Sequence, residues 1–206
     1  MNPDVNCDLW DDSPQRKYAT GGLINDVPIV CGGWGLKDCY FPSSPAANSV
    51  INMTEVRGYA TSVVLNKTTL FISGGVDYLY NDLKTTEIIK LDEASSISGP
   101  TLPVSIDWHC SVYTNNQVYL IGGRQDGRDS ATTWKVDPTT FHIEEGPTLN
   151  TARIGHACGL FISPNGGPPK IIVAGGKGED TVEVLDPSAS PGQGWEQGIK
   201  SIHVME

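Results

Sequence analysis

Short apolar stretches recur along the chain, and four of them are closed by a pair of glycines. PIVCGG ends on Gly32-Gly33, LFISGG on Gly74-Gly75, VYLIGG on Gly122-Gly123 and IIVAGG on Gly175-Gly176. The doublets lie roughly 40 to 50 residues apart, a self-similarity that marks a repeat architecture. Upstream of each doublet, an apolar stretch, a turn rich in Asn, Gly or Pro and a second apolar stretch follow one another, which predicts an antiparallel hairpin. A polar loop follows each of the last three doublets, then a third strand: TTEIIKL (85–91), TTWKV (132–136) or TVEVL (181–185). Turn chemistry comes next, at Asp92-Glu93, Asp137-Pro138 and Asp186-Pro187. A fourth short segment then carries Ile97, Ile143 or Trp195. Helical periodicity of apolar positions is absent, so each unit reads as a four-stranded antiparallel meander. Such a sheet has two faces to bury, and radial stacking of several sheets buries both.

The repeats align residue by residue at their start. Arg16 falls on Arg57, Tyr18 on Tyr59, Ala19 on Ala60 and Thr20 on Thr61. In the third and fourth repeats, His109 and His156 take the place of Tyr18 and Tyr59, and the Arg of the third is Asp107 or a neighbour. With the double glycine after the second strand, an aromatic-centred third strand, Trp195 near the fourth strand and Arg16, Arg57 and Arg153 before first strands, the chain resembles the kelch-repeat family. The resemblance covers residues from about Arg16 to Trp195. It departs from the pattern at Val50, Ile97 and Ile143, which stand near the Trp position in the first three repeats.

The resemblance implies an all-β kelch-type β-propeller of four-stranded antiparallel blades, and an incomplete one. Its repeats are 16–56, 57–106, 107–152 and 153–200, preceded by a remnant fourth strand in 1–15 that carries Trp10 and followed by a tail, 201–206. Kelch propellers close with roughly six blades, so four favour a fragment of a longer ring over a closed four-bladed one. The family implies a protein-binding scaffold or substrate-recruiting module without enzymatic activity, metal or cofactor. An extracellular propeller with glycan-binding or oxidase-like activity is the alternative, although the copper ligands of the propeller oxidases find no counterparts here. The glycine doublets read as structural, allowing positive φ and close backbone approach. The recurrent arginines read as ties between loops and neighbouring blades.

In such a blade the second-to-third and fourth-to-first connections leave at the same end. Among them VDYLYNDLK (76–84) offers Tyr78 and Tyr80, and RQDGRDSA (124–131) offers Arg124, Arg128 and Asp129. Tyr and Arg are enriched at interaction hot spots, so these five residues are the candidate partner-binding set.

Composition narrows the partner and the compartment. A net charge of −10 over 206 residues argues against nucleic acid or an anionic membrane surface. No apolar run reaches the roughly 20 residues of a membrane span. The opening residues show no basic start followed by an apolar stretch, so no signal peptide is visible. The five cysteines include no CxxC or zinc-spaced cluster. Cys31 and Cys39 either face one another across adjacent strands as a disulfide or are two small buried thiols. Asn52 and Asn66 head Asn-x-Thr sequons, and together with the cysteine pair they tilt the reading toward an extracellular glycoprotein. His109 and His156 read as packing positions with a polar tip rather than as metal ligands.

Overall fold

The protein is described from a computed structural model that covers residues 16–42, 50–164, 166–190 and 192–198. The strand expected around Trp10, together with Cys7 and the 201–206 tail, lies outside them. The described residues contain strands, turns and loops and no helix. Sheet one comprises β1 (Thr20–Ile24), β2 (Val27–Cys31), β3 (Asp38–Tyr40) and β4 (Ile51–Asn52). Sheet two comprises β5 (Thr61–Asn66), β6 (Thr69–Ser73), β7 (Thr86–Lys90) and β8 (Ser95–Ser98). The third repeat contributes β9 (Ile106–Asp107), β10 (Cys110–Thr114), β11 (Gln117–Ile121), β12 (Arg124–Gln125), β13 (Arg128–Asp129), β14 (Thr133–Val136) and β15 (Ile143–Glu145). Sheet four comprises β16 (Ala157–Phe161), β17 (Lys170–Ala174), β18 (Val182–Leu185) and β19 (Glu196–Gln197).

Each unit is an antiparallel meander with strands in chain order, sheet three being β10-β11-β14-β15. The connection expected as a plain loop at 124–131 is itself folded. There β12 and β13 form a hairpin, and β9 pairs with β12 to give a small three-stranded sheet. Turn chemistry sets the first hairpins. Asn25-Asp26 and Asn115-Asn116 hold positive φ at both central residues, 50° and 63°, then 51° and 59°. Asn and Asp tolerate that conformation, and the resulting turn matches the right-handed twist of its strands.

The sheets stack face to face through three apolar layers. Ile24, Ile29, Cys31 and Ile51 of sheet one meet Leu70, Ile72 and Ile89 of sheet two. Phe71 and Ile88 meet Leu120, Val118 and Val136 of sheet three, with Ile106 and Leu102 between them. Tyr119, Ile121 and Val112 meet Ile171, Val173, Leu185 and Trp195 of sheet four. The two inner sheets are covered on both faces, so LFIS of β6 and VYLI of β11 are buried at every residue. Among the described residues the outer sheets are covered on one face only. There burial alternates along β2, and β16 is mostly exposed, with Leu160 and Phe161 open to solvent.

Two details of the fourth strand depart from the sequence expectation. Ile97 stands opposite Ile88 on the face of the second layer but is left 40 % exposed, while Ser96 stands opposite Ile89. Ile143 does face the core, opposite Val136, packed at the edge of the second layer. Trp195 fills its role fully: it is buried, and its indole N–H donates to the Pro147 carbonyl at 2.8 Å.

The doublets make the joints between sheets. The second glycine donates to a carbonyl at the start of the next repeat: Gly33 to Arg57 at 2.8 Å, Gly75 to Ile106 at 2.7 Å and Gly123 to Arg153 at 2.7 Å. The first glycine lies against the same carbonyl. A Cβ on Gly74 would stand 2.0 Å from the Ile106 oxygen, whereas one on Gly175 would meet nothing closer than 3.8 Å. Gly74 and Gly175 share a positive φ, 57° and 67°, so they differ in joint contact alone.

Among the described residues two cysteine pairs lie at disulfide distance. Cys31 and Cys39 are directly opposed on β2 and β3 with Cα atoms 3.9 Å apart. Cys110 and Cys158 join β10 to β16 across the third layer with Cα atoms 6.0 Å apart. The second bridge had no signal in cysteine spacing.

Gly74→Ala is expected to lower unfolding free energy by at least about 3 kcal/mol, because backbone strain and a backbone clash combine. Gly175→Ala carries the strain only, about 1 to 2 kcal/mol. Denaturant melts of the two variants should separate them clearly, and equal losses would refute the joint. Peptide mapping without reductant should recover both bridges. Cys110→Ser/Cys158→Ser should cost about 4 kcal/mol, the loop entropy of a long closure.

Candidate functional site

The arginines that open the repeats are fully engaged within the fold. Arg57 is buried and donates to the carbonyls of Gly74 and Thr85, both at 2.9 Å, to the Thr85 hydroxyl at 2.8 Å and to Glu87 at 3.0 Å. Arg153 repeats the pattern on Gly175, Thr181 and Glu183. Arg16 does so on Gly32 and Asp38. The buried Glu87 and Glu183 carboxylates also accept backbone N–H groups, from Thr54 at 2.8 Å and from Asn150 at 2.6 Å. In the third repeat the arginine position is Ile106, one residue before the expected Asp107. Gln125 supplies the missing donors, reaching the Gly122 and Thr132 carbonyls at 2.9 and 3.2 Å while accepting the Trp134 indole N–H. A neutral amide thus replaces a guanidinium where no acidic partner is present.

Two residues beyond that position, every repeat enters the left-handed backbone region: Tyr18 at φ 62°, Tyr59 at 55°, Trp108 at 52° and Gly155 at 62°. The true counterparts of Tyr18 and Tyr59 are therefore Trp108 and Gly155, not His109 and His156. The histidines occupy the next position, that of Ala60, with their Cβ atoms against Gly123 and Gly176. The N–H of each of these residues donates to the carbonyl of its predecessor: Tyr59 to Tyr18 at 3.0 Å, Trp108 to Tyr59 at 3.3 Å and Gly155 to Trp108 at 2.9 Å. Their rings stack as a ladder, Tyr18 on Tyr59 at 3.9 Å and Tyr59 on Trp108 at 4.4 Å, tilted by 25° and 23°. Bulky side chains at positive φ cost about 1 to 2 kcal/mol each, and stacking recovers about 0.5 to 1.5 kcal/mol per pair. Burial, aided by the adjacent Tyr18 hydroxyl, pushes the Tyr59 phenol up to about 12.

The predicted partner-binding residues fall at this same end of the sheets. Tyr78, Leu79 and Tyr80 are exposed at 63, 62 and 69 %. The turn that carries them is pinned by Asp77, whose carboxylate accepts the backbone N–H groups of Leu79 at 2.7 Å and Asn81 at 2.9 Å. The Asn81 side chain, then those backbone bonds, hold the Asp77 carboxyl below its ordinary range. Tyr80 sits at φ 64° and leans on Trp34 of the first repeat, ring centroids 4.1 Å apart. Trp34 had no sequence signal beyond being aromatic. Arg124 is not free for a partner: its guanidinium grips Asp107 at 3.0 and 2.7 Å and reaches Asp82 at 3.2 Å. Burial raises the Asp107 carboxyl above its usual range, with Arg124 pulling the other way. Arg128 and Asp129 are exposed on β13 and form the outer arm of the hairpin. Asn52 and Asn66 are both exposed, Asn52 on β4 and Asn66 at the end of β5.

His109 is buried, and its Nε2 lies 2.7 Å from the Thr61 hydroxyl and 2.8 Å from the Ser73 hydroxyl. His156 takes the same place one sheet later, where Cys110 and Ile121 stand instead of Thr61 and Ser73. Desolvation, then the neighbouring His156, depresses His109 to about 3; desolvation, then Arg153, depresses His156 to about 4. Among the described residues no three His, Cys, Asp or Glu side chains gather as metal ligands. Among the described residues no helix long and apolar enough to cross a membrane is present.

No protein-family model matches the chain, and no curated protein matches it. Among solved structures, that of YjhT superposes on 92 % of this chain and 67 % of its own, with a TM-score of 0.73 at 16 % identity. That likeness is one of fold.

Because both histidines stay neutral when folded but take up protons near pH 6.5 when unfolded, acid favours the unfolded chain. Stability should be level above pH 6.5 and decline as pH falls from there toward 3. Between pH 6.5 and about 5 the histidines are the groups whose unfolded forms take up protons, and comparison with a variant lacking them removes the share of a raised carboxyl such as Asp107. Melting temperatures of the His109→Gln/His156→Gln variant should lose the decline in that interval; an unchanged slope would refute the assignment.

Proposed function

We propose that the chain is a kelch-type β-propeller segment that binds another protein through the end bearing the aromatic ladder, without catalysis. Four successive meanders stacked through shared apolar layers support the propeller reading, as does the spatial repetition of the doublet joint. The uncovered outer faces of sheets one and four support further blades closing the ring.

The observation that carries the binding reading is the Tyr78-Leu79-Tyr80 turn. Three large apolar side chains project from a backbone that Asp77 already holds. A rigid turn presenting aromatic residues loses little entropy on association, which is the character of a protein-binding hot spot. Two cysteine pairs at disulfide distance and exposed sequon asparagines at Asn52 and Asn66 favour an oxidising, extracellular setting.

A photo-crosslinking residue in place of Leu79 should capture a discrete protein from native material. The same residue in place of Lys67, in the β5–β6 turn at the opposite end, should not capture it. Tyr78→Ala/Tyr80→Ala should then weaken binding of the captured protein by at least about tenfold. Identical adducts from both positions, or none from Leu79, would exclude the loop end as the binding face.

A further inference from the structure

We infer that the fourth step of the aromatic ladder, left empty by Gly155, is a socket for an aromatic side chain of the partner protein. The inference rests on the protein-binding reading above and names the chemistry of one contact within it.

Backbone geometry at the four steps is the same. Tyr18, Tyr59, Trp108 and Gly155 share a φ of 52° to 62°, and an unbroken series of N–H to carbonyl bonds links them. The first three steps carry rings and the fourth does not. A Cβ built on Gly155 would lie 3.2 Å from Cε3 and 3.5 Å from Cζ3 of Trp108. A side chain at this step would therefore run over the six-membered ring of Trp108. Tyr59 covers one face of the indole at 4.4 Å, and the other face is met by a residue without a side chain. Trp108 remains 39 % exposed, and Gly155 is exposed beside it.

The shape and chemistry of this gap fit a flat ring stacked nearly parallel to the indole, the arrangement the ladder already uses twice. A sugar ring could also lie on tryptophan, but sugar recognition needs polar groups placed to bond its hydroxyls. The carboxylate next to Trp108 in the chain, Asp107, is engaged by Nε and Nη2 of Arg124, and that Nη2 also reaches Asp82. An aromatic side chain makes no such demand. The socket and the Tyr78–Tyr80 turn open at the same end of the sheets, so one partner can contact both.

The probe is N-acetyl-tyrosinamide, titrated into isotope-labelled protein. Ring-current shifts should appear at the Gly155 amide and the Trp108 indole N–H and saturate at millimolar probe. Gly155→Tyr should fill the socket with the chain's own ring, as Tyr18 and Tyr59 do at the same φ, and reduce probe affinity at least tenfold. Trp108→Ala removes the platform and should do the same. Circular dichroism confirms that each variant is folded, and either one alone decides the matter. Absence of shifts at these two groups, undiminished binding by Gly155→Tyr, or shifts with methyl N-acetylglucosaminide but not with the amide would each overturn the socket. If the probe fails while the Leu79 adduct persists, the socket is wrong and the protein-binding reading stands. If the probe binds but no adduct forms, it is the reading that fails.

Discussion

A single backbone hydrogen bond, repeated at each junction, carries the arrangement of this molecule. The second glycine of a doublet donates to the carbonyl that begins the next repeat, and the first glycine lies so close to that carbonyl that a methyl group has no room. The bond fixes where the next first strand begins. The apolar layers then fill the space between sheets, but they are adaptable. Packing alone tolerates small slides of one sheet over another, whereas a backbone bond at each junction does not.

The buried arginines act at the same junctions. Arg57 and Arg153 each tie a first-glycine carbonyl to the start of the third strand and to a glutamate from it. Those glutamates cap the backbone of the loop that leads from the preceding sheet into their own repeat. Taking such charges out of water is expensive, and a well-made pair roughly offsets that cost rather than adding much net stability. Their effect is geometric, holding the connecting loops in one conformation. Gln125 shows that the requirement is for donors and not for charge, since it bonds the same two carbonyls from a different part of its own repeat.

Much of the fold is legible in residue order. Glycine doublets after apolar runs, Asn-Asp and Asn-Asn turns and short alternating strands have local causes, and each was readable. The opposition of Cys31 and Cys39 follows from the pairing of β2 with β3 across the loop that the doublet opens. Of the residues expected to meet a partner, Tyr78 and Tyr80 stand exposed in their loop, whereas Arg124 is held by Asp107. What escaped was the ladder. Matching Tyr18 and Tyr59 to His109 and His156 follows chemical resemblance, yet the backbone φ puts Trp108 and Gly155 in their place. A tryptophan or tyrosine gives no sign that it will be held at positive φ, because intrinsic preference opposes it.

Sequence by itself determined the all-β class, the four meanders and the places of the joints, because these depend on turn chemistry and on residues close in the chain; it set Cys31 and Cys39 near one another without deciding between a bridge and two thiols. Tertiary structure alone decided the Cys110–Cys158 bridge, the substitution of Gln125 for an arginine and the stacking of Tyr18, Tyr59 and Trp108. The bridge and the stack join residues about 40 to 50 positions apart and exist only once successive sheets lie about 10 Å apart, face to face, whereas Gln125 reaches carbonyls within its own repeat that only the folded hairpin brings to it. No local preference encodes a neighbour that arrives from the next repeat.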